Sequence, residues 1–180
     1  MITKLKAERF RQKKTVFNQR FIYMRRTDRE IKDFSQIVKI MKRCKVCHVS
    51  FSDEYPYVVP LNFGMKVEGE KITLYFHGAS TGRKHDLIRK NNKVGFVIEN
   101  MLSILTYDIA CKSVAEYESV MGYGKIEYIG EEEKKDALQF LMSQYTKPHG
   151  EKFEFDPDAV KQTCIMKLKV EGLSAKQCVR

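Results

Sequence analysis

Tryptophan is absent from this chain, proline occurs four times in 180 residues, and the five cysteines are an odd and sparse set. So few cysteines argue against a disulfide framework and for a reducing compartment, so a cytoplasmic location is expected. No apolar run approaches the roughly eighteen residues of a membrane-spanning helix. Acidic residues are nearly missing from the first 26 positions, where Glu8 stands alone against nine Lys/Arg. Phe17, Phe21, Ile22 and Tyr23 are too interrupted there to make the core of a secretory signal. Residues 1–26 are therefore expected to be a basic tail, disordered or preceding a true start at Met24. Residues 27–180 are expected to form one folded domain. The net charge of +10 belongs mostly to that tail, since the other 154 residues carry 24 Lys/Arg against 22 Asp/Glu. A nucleic-acid-binding domain wears its basic residues on the folded body, so neither nucleic acid nor a membrane is the expected partner.

Several catalytic signatures are missing as well. There is no GxSxG for a nucleophilic serine, no P-loop lysine and no GxGxxG, which excludes serine hydrolase, nucleoside-triphosphate and Rossmann readings. The acid pairs Glu131/Glu133 and Asp156/Asp158 fall at a helix start and in a turn, away from any general acid/base geometry.

The remaining pattern is mostly strand. Thr27-Asp28-Arg29-Glu30 reads as a capping box ahead of Ile31, Phe34, Val38 and Met41, predicting an amphipathic helix over 28–43. Runs at 46–51, 57–65, 71–77 and 93–99 are short, rich in Val, Ile, Phe and Tyr, and separated by turn residues, as in an antiparallel meander. A short helix is expected at 83–91. Residues 113–129 read as a strand pair or one long bent strand with a bulge near Gly122 and Gly124. A second helix is expected at 131–145, led by three glutamates that suit its positive end. After a turn-rich 147–158, Cys164, Met166, Leu168 and Val170 alternate with polar residues as a half-buried strand. The fold class is mainly β, a β-barrel decorated by helices.

Two strings carry candidate chemistry. Cys44-Lys45-Val46-Cys47-His48 matches the c-type haem attachment spacing. It spans a helix end and a strand start, where small apolar residues are ordinarily buried, and no second Cys/His pair accompanies it to hold zinc. In Tyr75-Phe76-His77-Gly78-Ala79-Ser80-Thr81-Gly82-Arg83-Lys84, a strand ends, a glycine- and hydroxyl-rich turn follows, and a helix begins. Such a turn offers backbone N–H groups, hydroxyls and two cations to one point, as a phosphate monoester requires. The alternative is a solvated loop with Ser80 or Thr81 capping the helix. Pro60 cannot donate to a ladder, so its strand is an edge or is interrupted where a ligand approaches. Alternation puts Pro60 and Asn62 on one face and Tyr75 and His77 on another shared face. A phosphate cradle without catalytic side chains suits a cofactor that brings its own chemistry.

The ordered segments Met24–Ile31, Tyr57-Val58-Val59-Pro60-Leu61-Asn62-Phe63-Gly64, Leu74–Ala79, Gly82-Arg83-Lys84 and Tyr117–Gly124 resemble the nitroimidazole-resistance (Nim) proteins. These belong to the pyridoxamine 5'-phosphate oxidase-like FMN-binding split barrels of antiparallel Greek-key type. The resemblance implies a homodimer holding FMN, with FAD as the other flavin, in a groove between subunits. It implies ring contacts around Val59, Pro60, Leu61 and Asn62 and along Phe76 and Gly78. The phosphate would fall to Gly82, Arg83 and Lys84, beside the hydroxyl of Ser80. Tyr117, Ser119 and Val120 would line the same groove, and His77 would face the substrate. The activity implied is flavin-dependent reduction, by NAD(P)H or another donor, of a small planar acceptor such as a nitroimidazole. The alternative is a non-catalytic flavin- or haem-binding protein of the same fold. Without tryptophan the chain lacks the C-terminal segment by which pyridoxamine phosphate oxidases grip substrate, so oxidation of vitamin B6 itself is not implied.

Overall fold

The computed structural model describes residues 24–146 and 152–180. The expected basic tail up to residue 23, and 147–151 of the turn-rich stretch, lie outside the described residues. Eight antiparallel strands form one sheet: β1 (Glu30–Ile31), β2 (Cys47–Phe51), β3 (Tyr57–Leu61), β4 (Gly64–Glu68), β5 (Lys71–Gly78), β6 (Lys93–Leu105), β7 (Val114–Tyr128) and β8 (Cys164–Cys178). Four helices accompany them: α1 (Phe34–Arg43), α2 (Arg83–Lys90), α3 (Glu131–Tyr145) and α4 (Pro157–Gln162).

The strand order is β3-β2-β6-β7-β8-β5-β4, with β1 beside β8. Its two ends, β3 and β4, are adjacent in sequence and joined only by residues 62 and 63. A link that short spans at most about 10 Å, so the two edges of the sheet must come together and the sheet must curl. β3 and β4 do not pair with each other, and the barrel is split at that seam. Its interior takes alternate side chains from every long strand: Val49 and Phe51, Leu74 and Phe76, Phe96 and Ile98, Met166 and Leu168 are all nearly or fully inaccessible. This period-2 apolar face is the main source of stability, each fully buried large side chain contributing about 1.5–3 kcal/mol.

The outer face is covered unequally. α3 lies across β4 and β5, where Tyr75 stacks on Phe140 with ring centroids 5.5 Å apart and buries Ile165, Ala137 and Leu141 with it. Contact is closest at Gly64, where a Cβ would stand 2.4 Å from the Leu141 backbone nitrogen. Among the described residues α3 does not reach across β2, β6 and β7, whose outer side is bordered by Met24, Arg25 and Arg26; Val58 of β3 and Met121 of β7 stand about half exposed there.

Five expectations need correction. The helix over 28–43 starts later: Thr27–Arg29 is a 3₁₀ turn, Glu30 and Ile31 pair with Lys176 and Ala175 of β8, and Asp33 caps α1 by accepting the Ser35 N–H at 2.8 Å. Strand pairing has therefore displaced the Thr27/Glu30 capping box. The single strand over 57–65 breaks at Asn62–Phe63, because the Phe63 N–H donates to the Tyr145 hydroxyl at 2.9 Å. The strand beginning at Lys93 runs on to Leu105, and the one beginning at Cys164 runs on to Cys178, because their outer halves pair along β7. A short helix that the sequence reading does not include, α4, begins at the end of the turn-rich stretch, capped by Asp156. Residues 113–129 form one long strand, with the expected bulge as a register shift between Tyr123 and Gly124.

Candidate functional site

The turn between β5 and α2 is built as an anion-binding geometry requires. β5 ends at Gly78 and α2 begins after Gly82, whose φ of +116° is open to glycine alone. No side chain caps α2, so the alternative in which Ser80 or Thr81 serves as N-cap does not hold. An uncapped helix start leaves its first N–H groups without intrahelical partners. Ser80, Thr81 and Gly82 are exposed. The Lys84 ammonium lies 3.6 Å from where a Gly78 side chain would begin, over the start of the turn. Arg83 is held beside it: its Nε and Nη2 both donate to one Asp53 oxygen, at 3.2 and 2.5 Å. Its guanidinium also lies over the Tyr57 ring, 5.3 Å from the centroid. Two cations, two hydroxyls and free backbone donors thus share one solvent-facing turn.

Beyond Tyr57, Val58 borders a cavity of about 560 Å³ on this outer face, lined also by Met24, Arg25 and Arg26. Its walls include His48 and Ser50 of β2, Val97 of β6, Ser119 and Met121 of β7, and Lys176 of β8. Sheet register assembles them: Ser119 is opposite Lys176 in the β7–β8 ladder, and His48 is opposite both Val97 and Pro60. The Ser119 hydroxyl is buried and, among the described residues, has no hydrogen-bond partner. A buried orphan hydroxyl costs about 1–3 kcal/mol, and one aimed at a cavity is ready to meet a polar ligand. Tyr117, on the same strand, lines a smaller adjoining pocket with Ser119 and Lys176 and receives a hydrogen bond from Arg29 at 3.2 Å. Glu99, opposite Ser119 in the β6–β7 ladder, also lines that pocket.

The structure brings some of the sequence-predicted site residues together in two groups and leaves the others apart. Gly78, Ser80, Gly82, Arg83 and Lys84 come together at the turn, with His77 exposed on the last outward position of β5. Tyr117 and Ser119 come together at the cavity wall. Pro60 faces outward on β3, an edge strand as its proline requires, and Asn62, just past the strand's end, is exposed with its Nδ2 donating to the Lys45 carbonyl at 3.3 Å. Val59 and Leu61 pack toward the core, and Phe76 and Val120 are wholly within it. Only the backbone of these four is placed to meet a ligand on the outer face. His48 was overlooked as a cavity residue; its outward place in an alternating strand was the available signal. Cys44 and Cys47 are buried in the core. Desolvation pushes the Cys44 thiol up to about 11 and Cys47 higher still. Neither sulfur can reach a haem on the outer face.

The comparisons agree with this architecture. Residues 33–177 match the family model described as pyridoxamine 5'-phosphate oxidase. The chain is similar to the crystal structure of a candidate 5-nitroimidazole antibiotic resistance protein from Bacteroides thetaiotaomicron, with 31% identity and a TM-score of 0.70 over 82% of this chain and 86% of that one. It also shares its fold with the flavocytochrome Anf3 from Azotobacter vinelandii, at 20% identity and a TM-score of 0.73 over 91% and 76% of the two chains. A similar fold occurs in the FAD- and haem-binding protein from Mycobacterium smegmatis, at 15% identity and a TM-score of 0.71 over 84% and 74%. No match is found among curated proteins. Among the described residues no helix is long and apolar enough to cross a membrane. The family match over most of the chain and the split eight-stranded barrel lead to one conclusion: this chain belongs to the pyridoxamine 5'-phosphate oxidase family.

Proposed function

We propose that this chain is a flavin-dependent oxidoreductase that acts as a homodimer and reduces a small planar acceptor, a nitroimidazole being the type. The observation that carries the reading is the uncapped start of α2, with Ser80 and Thr81 free of capping duty and the Lys84 ammonium over Gly78. A phosphate monoester takes up those donors, and FMN is the flavin that ends in one; FAD would offer a diphosphate to the same turn. Bound flavin supplies the redox chemistry, accepting electrons from NAD(P)H or another donor and passing them on. The chain's own residues do the rest. Lys84 and Arg83 neutralise the phosphate by charge-assisted hydrogen bonds. The backbone of β3 near Pro60 and the end of β5 offer a flat edge for the ring. His77, exposed at that end, orients the acceptor or gives it a proton.

The homodimer reading draws on the outer face of β2, β6 and β7. Ser119 and Tyr117 lie on one wall, the turn that would take the phosphate lies beyond β3, and Val58, Met121 and Met101 stand exposed on the same side. A second copy laid on this face would cover the apolar surface and close the groove over the ring. The flavocytochrome and the FAD- and haem-binding protein favour a second reading, in which the same barrel holds flavin or haem without turnover.

The deciding experiment is direct. Purified protein should be yellow, release FMN or FAD on denaturation, and consume NAD(P)H or reduced donor when a nitroimidazole is added. Lys84→Ala should lose flavin about ten- to a hundredfold more readily. Bound flavin with no acceptor reduction would select the second reading, and colourless protein that takes up no added flavin would remove both.

A further inference from the structure

His85 is the third residue of α2 and is 1% exposed, an unusual setting for an imidazole. Its ring bridges two partners: Nε2 is 2.7 Å from the Ala79 carbonyl oxygen, and Nδ1 is 2.6 Å from the Tyr128 hydroxyl. A carbonyl can only accept, so Nε2 carries the proton; Nδ1 is then an acceptor, and Tyr128 donates to it. Tyr128 also stacks on the imidazole, with centroids 5.7 Å apart and planes 15° from parallel. Burial pushes the His85 pKa below its ordinary value, which favours this neutral form.

The consequence falls on the turn. His85 grips it twice, through its ring at the Ala79 carbonyl and through its backbone N–H at the Gly82 carbonyl, 3.0 Å away. A trans peptide is planar, with its C=O and N–H pointing in opposite directions. Turning the carbonyls of Ala79 and Gly82 toward His85 therefore turns the N–H groups of Ser80 and Arg83 away from it, outward. The segment has glycine at both ends, Gly78 and Gly82, and would otherwise be free to rotate those peptides.

We propose that His85 and Tyr128 are a positioning pair that holds the 78–82 turn with its amides presented to a phosphate, and so set this chain's preference for a phosphorylated flavin over the dephosphorylated one. The proposal rests on the reading of the turn given under the proposed function, and it makes neither residue a ligand of the phosphate. Tyr128 ends β7, the strand that also carries Tyr117 and Ser119, so a single strand braces both groups of site residues.

The test compares dissociation constants for FMN and for riboflavin, measured by flavin fluorescence on full-length wild type, Tyr128→Phe, His85→Leu and His85→Gln. His85→Leu should weaken FMN about tenfold, as expected for loss of one oriented hydrogen-bonding group, while riboflavin binding stays unchanged. His85→Gln retains an N–H donor and should recover part of the loss. Tyr128→Phe removes only the hydroxyl that donates to Nδ1, keeps the stacked ring, and should show a smaller loss confined to FMN. Nitrogen NMR of the wild-type imidazole should report the Nε2-protonated tautomer. A wild type with no preference for FMN over riboflavin would end the phosphate reading of the turn and this inference with it. A clear wild-type preference that survives in all three variants, an equal weakening of both flavins, or an Nδ1-protonated ring would overturn the inference alone.

Discussion

Arg83 directs two of its nitrogens onto a single Asp53 oxygen while its guanidinium carbon lies over the Tyr57 ring. The pair fixes the cation at the start of α2, and it also places a carboxylate beside the point where a phosphate would arrive. The two effects oppose each other. Charge repulsion at a solvated site acts over several ångströms, whereas the Tyr57 ring holds the guanidinium even without Asp53. Asp53→Asn should therefore tighten FMN binding, by about threefold, with a steeper salt dependence than in wild type. The pair is exposed, so the melting temperature should not change. Weaker binding in titration would mean that Asp53 acts mainly by orienting Arg83.

Ser119 predicts an unusual pair of outcomes. Its buried hydroxyl has no partner among the described residues, so removing it relieves an unsatisfied group. Ser119→Ala should leave unfolding free energy unchanged or raise it by up to about 1 kcal/mol. The same variant should bind flavin or acceptor several-fold more weakly. Chemical denaturation and ligand titration on one preparation check both, and a destabilised variant with full affinity would contradict the assignment.

His77 and Lys84 should separate cleanly. His77 is exposed at the end of β5 and is not needed to fill the core. His77→Ala should retain its full complement of flavin and slow acceptor reduction by about 10²-fold, the usual scale for a lost general acid. Flavin content read from the absorption spectrum, alongside steady-state turnover, distinguishes this from loss of cofactor.

The brace between α1 and the site strand is ionic. Glu118, 1% exposed, accepts from Arg43 Nε and Nη2 at 3.0 and 2.5 Å, and from the more distant Asn100 amide. Arg43→Ala would leave a buried carboxylate without its cation. Because Arg43 itself is half exposed and solvent can approach, the expected loss is about 1–3 kcal/mol in urea denaturation, below that of a fully buried pair. Glu118→Gln should cost less than Arg43→Ala, since an amide is easier to bury than an unpaired charge.

Much of the fold was legible in local pattern. The start of α3 at Glu131 and its end at Tyr145 coincide with the glutamate cluster and the last stripe residue. β2 shows the strict alternation its residues predict. The glycine-bounded turn between β5 and α2 was legible for the same reason, since glycine, hydroxyl and cation positions are local properties. The misreadings share a cause. Thr27 and Asp33 both offer a helix cap, and only the pairing of Glu30 and Ile31 with β8 decides between them. The break at Asn62–Phe63 depends on Tyr145, 82 residues away.

By its sequence alone this protein is committed to a mainly antiparallel barrel and to a glycine-bounded, cation-bearing turn, because side-chain alternation and backbone freedom act over a few neighbouring residues. Tertiary structure decided the cavity. Ser119 meets Lys176 only through the β7–β8 register, and Val58 joins the same cavity only because β2 pairs with both β3 and β6. It also decided the setting of His85, which in the chain looks like one more polar residue of a short helix. The reason is physical: burial and long-range hydrogen bonding depend on which strands lie side by side, and that follows from the whole barrel closing at once.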